Sequence, residues 1–349
     1  MSILTSIEIQ RSIQERIRTI REKQHNERHG LRLVSCRANL ALSQEIAELL
    51  EEPLLDVQIK DHADGEPYVR LHQSVREEDV FVLQTTCPPV LNNFGELFIV
   101  NDAVSRSSPH RLVNIIPYFG FARQDRKTSG REAITAKLFA NLLEKSGNGE
   151  LKKIFIFEPH FSQLPGYFNT PKVDIGFATP IFLAWIRELH EQVGEENVVL
   201  VSPDVGGVAR VRVYAKTLRN PYAVVDKWRP EHGKVEVMHV IGNVKGKTAV
   251  VIDDMIDTGG TICEVSEALI NMGAREVYVL ATHSLLSGPA VERLIASPIK
   301  QIVVTNTVPI PPEKLFDKIE VLSVASLLAS FMLNIFLGEP ISPLLGYDD

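Results

Sequence analysis

The chain has 349 residues and a formal net charge of -7 without a basic block, so nucleic acid would find no electrostatic footprint on it. No apolar run reaches the length of a membrane-spanning helix, and three widely spaced cysteines (Cys36, Cys87, Cys263) provide neither a disulfide framework nor zinc-ligand spacing. Residues 1–30 lack an apolar centre and carry Glu8, Glu15, Glu22 and Glu27, unlike a signal or transit peptide, so the reading is a cytoplasmic chain in a reducing compartment, without nucleic-acid or membrane partners.

The length allows two domains of ordinary size. Over residues 3–28 the spacing of Ile7, Ile13, Ile17 and Ile20 predicts one charged helix, whose apolar face would cover the domain or meet another subunit. A poorly ordered extension fits this composition nearly as well. Gly30 ends the segment. From Leu31 short apolar runs alternate with helical stretches. Strands are predicted at 31–35, 57–59, 80–84, 111–116 and 153–157, with helices at 43–50, 93–105 and 135–145. The second half repeats the rhythm, with helices at 180–192, 208–218 and 261–271 and strands at 198–201, 222–225, 249–252, 277–281 and 301–305. Strands alternating with helices imply parallel sheets of the doubly wound type. Two similar halves meeting near 150–175 imply an α/β chain of two related domains. Their extents are read as 31–172 and 173–349, after a helical extension at 1–30.

Several strand ends carry polar clusters. The segment Pro117 to Lys127 holds Arg123, Arg126 and Lys127 beside aromatics, which suits a polyphosphate and a base but also describes a solvated charged loop. His160 follows the strand at 153–157, and Asp204, within Ser202 to Gly207, follows the strand at 198–201. A His and an Asp at separate strand ends could share a cation, although a lone His is more often structural. Lys227 and Arg229 open a loop after the strand at 222–225 and could clamp a transferring phosphoryl group. Gly242 to Thr248 looks like a P-loop but has three residues between its glycines instead of four, and it precedes a strand instead of following one; it reads as a hairpin turn.

The most informative stretch is Val250 to Thr261. An apolar strand feeds Asp253 and Asp254 directly into Asp257-Thr258-Gly259-Gly260-Thr261, and a helix follows. Glycines let backbone N–H groups approach an anion, and the helix N-terminus behind them favours negative charge. Thr258 and Thr261 add hydroxyl donors. The simplest chemical fit is a phosphate in the loop and a polyol on the paired acids.

This stretch resembles the phosphoribosyl-diphosphate (PRPP) loop of phosphoribosyltransferases and PRPP synthetases. From about residue 31 onward the chain is similar to the PRPP synthetase (ribose-phosphate diphosphokinase) family. The matching set, in order, is Asp64-Gly65-Glu66, Pro117 to Lys127, His160 with Gln163, Ser202 to Gly207, Lys227-x-Arg229-Pro230 and Asp253 to Thr261. Ordinary phosphoribosyltransferases share only the last of these.

The resemblance implies two domains of the phosphoribosyltransferase type I kind, each a mainly parallel sheet flanked by helices. It also implies a Mg²⁺-dependent transfer of the diphosphoryl group of ATP to the 1-hydroxyl of ribose 5-phosphate, giving PRPP and AMP for nucleotide biosynthesis. It assigns Asp64 and Glu66 to ATP bound at a neighbouring subunit, Arg123 and Gln124 to ATP, and His160 and Asp204 to magnesium. Lys227 and Arg229 would stabilise the transition state. Asp253 and Asp254 would hold the ribose hydroxyls, and Asp257, Thr258, Gly259, Gly260 and Thr261 the 5-phosphate. Leu322 to Leu328 resembles the segment that helps bind regulatory phosphate or ADP in the bacterial and animal-type enzymes, implying activation by inorganic phosphate. The family builds hexamers from dimers, so a homo-oligomer is implied. His62, Glu158 and Trp228 depart from the family's usual Phe, Asp and Arg. These departures suit the alternative, a non-catalytic regulatory subunit of a PRPP synthetase.

Overall fold

The computed structural model describes residues 11–17, 29–228 and 237–344. The chain forms two compact units, one of Ser2–Phe177 with Ser323–Leu345, the other of Ala178–Leu322.

In the first unit the described strands β1 (Leu31–Ser35), β4 (Asp79–Leu83), β5 (Arg111–Ile116), β6 (Leu151–Phe157) and β7 (Lys172–Gly176) form one parallel sheet in that order. Helices α2 (Leu40–Leu50), α3 (Val90–Ser105) and α4 (Thr135–Ser146) connect them. Both faces are covered, which is why β4 is apolar without alternation after Asp79 and buried throughout. Strands β2 (Val57–Asp61) and β3 (Pro67–Leu71) stand apart as an antiparallel hairpin, which rests on α3 and on the core through Val57, Ile59, Val69 and Leu71.

The unit is completed from the far end of the chain. Helix α9 (Ala325–Leu337) is apolar on nearly every side and packs on α2. Its Phe331 ring lies 4.5 Å from that of Phe155, and any side chain at Gly176 would collide with both. Burying Leu327, Leu328, Phe331 and Met332 contributes about 1.5–3 kcal/mol each. Arg111 Nη2 donates to Phe336 O at 2.9 Å, placing a cation where the helix dipole is negative. The sequence reading puts this segment with the second half; in the structure its described residues, 323–344, belong to the first. Of the charged helix read over 3–28, residues 11–17 are described and helical (α1); the rest lies outside the described residues. Ile13 and Ile17 of α1 are buried, and Arg16 donates to Asn334 Oδ1 at 2.7 Å and pairs with Glu339.

In the second unit the described strands are β8 (Val198–Ser202), β9 (Tyr222–Trp228), β10 (Val237–Ile241), β11 (Thr248–Ile256), β12 (Glu276–Ser284), β13 (Gln301–Thr305) and β14 (Ile319–Leu322). Their order is β10-β9-β8-β11-β12-β13-β14, all parallel except β10, and α5 (Thr179–Val193), α6 (Val208–Leu218), α7 (Gly260–Asn271) and α8 (Ala290–Ala296) flank the sheet. Gly242 to Thr248 is not the hairpin turn read from sequence. Strand β10 pairs with β9, whereas β11 pairs with β8 and β12. The segment is a connection that carries the chain across the sheet.

Candidate active site

Strand order alone marks the place. From β8 the chain runs through α6 to β9 on one side, while β11 lies on the other. Such a reversal leaves a crevice beyond the carboxyl ends of the two strands, and ligands of open α/β sheets bind there. The segments leaving β8 and β11 are Ser202 to Gly207 and Asp253 to Thr261, the two stretches that the sequence singles out.

Asp253 and Asp254 lie on β11 itself, not beyond it, because the strand continues in register with β12 to Ile256 opposite Ser284. Asp254 is buried; Asp253 is partly exposed, and its Oδ1 accepts from the Asp254 N–H at 2.9 Å. Arg210, in the first turn of α6, sets Nη1 3.3 Å from Asp253 Oδ1 and Nη2 3.5 Å from Asp254 Oδ1. Burial, then the neighbouring Asp254 charge, push the Asp253 carboxyl well above its ordinary range, while Arg210 pulls it down. Sequence reasoning missed Arg210. The available signal was an arginine one turn into the helix that follows Gly207.

The loop after β11 is held from behind. Ile256 O accepts from Leu285 N at 2.9 Å, Asp257 O from Ser287 N at 2.9 Å, and Thr258 O from Arg293 Nη1 at 3.2 Å. With those carbonyls tied back, the segment turns at Gly259, whose φ is +74°, and enters α7 at Gly260. Gly259 is buried against α8: a Cβ there would sit 3.4 Å from Leu294 Cγ and 3.5 Å from Ala290 O. Thr258 and Thr261 are exposed. A three-turn helix thus presents its N-terminus behind two exposed hydroxyls, an arrangement suited to a phosphate dianion. Asp204 is exposed; its Oδ1 accepts from the Gly207 N–H at 2.8 Å and so closes the turn that leads into α6. Lys227 lies on β9 opposite Met238, its side chain outside the described residues, as is Arg229 altogether.

The first unit holds the remaining candidates. Asp64 and Glu66 are exposed at the turn of the β2–β3 hairpin; Asp64 Oδ1 accepts from Glu66 N at 3.0 Å, and Gly65 has φ +90°. Arg123 and Gln124 are exposed after β5, and Gln124 Oε1 accepts from Thr135 Oγ1 at 2.5 Å. The following basic segment is clasped by Glu132, which accepts from Thr128 N at 2.7 Å, Ser129 N at 3.0 Å and Ser129 Oγ at 2.7 Å. Those bonds draw the Glu132 carboxyl down to about 2. His160 is exposed beyond β6, two residues after Glu158, which is buried with φ +43°. The structure therefore brings Asp253, Asp254 and the phosphate-type loop together with Arg210. It places Asp64 with Glu66 on one turn and Arg123 with Gln124 on another. His160 and Asp204 fall in different units.

Among the described residues no three His, Cys, Asp or Glu side chains form a metal cluster. The oxygen donors present are single or paired carboxylates. That set fits Mg²⁺, which is commonly held by one or two carboxylates together with substrate phosphates.

The family model for the N-terminal domain of ribose phosphate pyrophosphokinase matches residues 31–147, and that for the phosphoribosyl synthetase-associated domain matches residues 225–346. The chain is 46% identical to a ribose-phosphate pyrophosphokinase of Caldanaerobacter subterraneus subsp. tengcongensis, over 90% of this chain and 98% of that protein. It is 48% identical to the chloroplastic ribose-phosphate pyrophosphokinase 2 of Arabidopsis thaliana, over 85% of this chain and 73% of that protein. The crystal structure of phosphoribosylpyrophosphate synthetase from Mycobacterium smegmatis superposes with a TM-score of 0.82 at 38% identity, covering 88% of this chain and 99% of that one. Two α/β units, a crevice carrying paired acids over a phosphate-type loop, and likeness sustained along nearly the whole of a relative lead to one assignment: the chain belongs to the ribose-phosphate pyrophosphokinase family.

Proposed function

We propose that the chain transfers the diphosphoryl group of ATP to the 1-hydroxyl of ribose 5-phosphate, giving PRPP and AMP. The observation that carries this reading is the crevice at β8 and β11, where a polyol-binding acid pair and an anion-binding helix N-terminus adjoin on one strand–loop–helix. Asp257 to Thr261 receive the 5-phosphate, and Asp253 and Asp254 accept hydrogen bonds from ribose hydroxyls. Arg210 faces both carboxyls and opposes the upward push that burial and Asp254 exert on Asp253. The anomeric hydroxyl attacks the β-phosphorus, and negative charge grows on the bridging and equatorial oxygens. Lys227 and Arg229 neutralise that charge, so positioning does most of the work and no protein nucleophile is needed. Asp64, Glu66, Arg123 and Gln124 bind ATP. His160 in one unit and Asp204 in the other each take a magnesium role. When bound, Mg²⁺ offsets phosphate charge and orients the leaving group.

The finer parts of the reading belong here too. Asp64 and Glu66 serve a neighbouring subunit, so the enzyme works as a homo-oligomer of dimers, with a hexamer as the full assembly. It is cytoplasmic and activated by inorganic phosphate, as in the bacterial and animal-type class. The two catalytic domains are taken to be 31–172 and 173–349, with α9 lent back to the first. The test is AMP formation by the purified chain with ATP, Mg²⁺ and ribose 5-phosphate, with and without inorganic phosphate. AMP that depends on ribose 5-phosphate supports the synthetase; its absence under both conditions favours a non-catalytic regulatory subunit.

A further inference from the structure

We propose that Arg37 is a positioning residue for ATP: it latches the β2–β3 hairpin to α3 so that Asp64 and Glu66 are presented in one pose. This rests on the ATP role given above to the hairpin turn. A two-stranded hairpin is marginal by itself and takes its order from what it leans on. Here Val57, Ile59, Val69 and Leu71 seat the body of the hairpin on the core. Residues 61–66, toward the turn, are all exposed and lack any such seat.

At that unsupported end Asp61 is gripped from outside the hairpin. Arg37 Nη1 donates to Asp61 Oδ2 at 2.9 Å and Nη2 to Oδ1 at 2.8 Å, a bidentate pair. Arg37 is itself held. Its Nε donates to Glu96 Oε2 at 2.5 Å, and its backbone N–H to Glu96 Oε1 at 2.6 Å. Glu96 is buried on α3, and Gln84 Nε2 reaches the same Oε1 at 3.5 Å. The planar guanidinium therefore spends three donors in fixed directions, one toward the rigid helix and two toward the hairpin. Asp61 is three residues from Asp64, and the turn between them is closed by His62 N donating to Glu66 O at 2.8 Å. A shift at Asp61 is thus passed to both acids. An exposed ion pair adds little to folding, so the value of this one lies in the direction it imposes. A lysine has no planar fork and cannot reproduce it.

The experiment is steady-state kinetics of the full-length enzyme carrying Arg37→Ala, Arg37→Lys, Asp61→Asn or the Arg37→Ala/Asp61→Asn pair, with thermal melting of each. KM for ATP should rise about three- to tenfold in Arg37→Ala and Asp61→Asn, the span for losing one half-exposed bidentate contact. Values of kcat and KM for ribose 5-phosphate should stay within about twofold of wild type. Arg37→Lys should fail to restore KM, and the double variant should be no worse than the worse single one. Asp61→Asn keeps the Arg37–Glu96 contact and carries the test should Arg37→Ala fail to fold. A folded Asp61→Asn with unchanged KM for ATP overturns the latch while leaving the synthetase reading intact. A wild-type chain that makes no AMP overturns the synthetase reading, and the latch with it.

Discussion

Arg210 bridges two carboxylates that are neighbours in sequence, with Nη1 3.3 Å from Asp253 Oδ1 and Nη2 3.5 Å from Asp254 Oδ1. The contact joins the helix after β8 to the end of β11, so one guanidinium connects both segments that leave the crevice. Adjacent, little-exposed carboxylates repel each other, and a cation facing both offsets part of that repulsion.

Replacing Arg210 by Gln should therefore move the acid limb of the pH profile of kcat/KM for ribose 5-phosphate upward. Burial and the Asp254 charge would act on Asp253 unopposed. The shift should be on the order of one pH unit, with Arg210→Lys giving less. An acid limb that stays in place would separate Arg210 from the titration of the pair.

Asp253→Asn should make the empty protein more stable at neutral pH while cutting turnover by orders of magnitude. The Asp253 carboxyl binds its proton more tightly in the folded chain than in the unfolded one. Its stabilising contribution is complete below its unfolded value of 3.8 and is lost as pH rises through the higher folded value. Above pH 3.8 the folded site disfavours the ionised carboxyl that the unfolded chain carries freely, a cost that Asn removes. Melting curves should show a gain of about 2–4 °C at pH 7 that fades toward pH 4. An equal gain at both pH values would point to packing instead of charge.

Gly259 and Gly260 should respond oppositely to alanine. Gly259 has φ +74° and backs onto Leu294 and Ala290, so Gly259→Ala should cost about 1 kcal/mol and raise KM for ribose 5-phosphate. Gly260 is already helical, and a methyl group there meets nothing nearer than Arg293 Nη1 at 3.6 Å. Chemical denaturation should place Gly260→Ala at or above wild type. Equal losses in the two variants would remove the left-handed turn as the cause.

Glu132→Gln should loosen the basic loop that follows Gln124. The Glu132 carboxyl is drawn down to about 2 from 4.5, so its grip on Thr128 and Ser129 is complete above pH 4.5 and is lost as pH falls through about 2. At pH 7–8 trypsin should cut after Arg126 and Lys127 roughly severalfold faster in the variant, with a parallel rise in KM for ATP. Unchanged cleavage would show that the loop is held by other contacts.

The sequence made the central strands plain because parallel strands covered on both faces are apolar runs with no polar interruption, as in β8 and β4. It concealed β3, β7 and β14, whose side chains are mostly half-buried and whose composition is mixed. The phosphate-type loop was legible because its residues are consecutive. Arg210 was not, because it meets Asp253 across 43 positions of chain, and Arg37 reaches Glu96 across 59. Local spacing carries no trace of such pairs. Helix α9 was hidden for a related reason: its apolar surface says that it is buried, but not by which unit.

The polypeptide leaves its first unit at Phe177 and returns to it at Ser323. During synthesis at ordinary speed, the ring of Phe155 waits roughly 9–35 s for Phe331 to be added, and the face of α2 waits longer still for α9 to cover it. Bare apolar surface on a nascent chain attracts chaperones and other nascent chains. A message cut short just before Ala325 would still encode every residue of the proposed active site, yet its product would carry a first unit that could not finish folding.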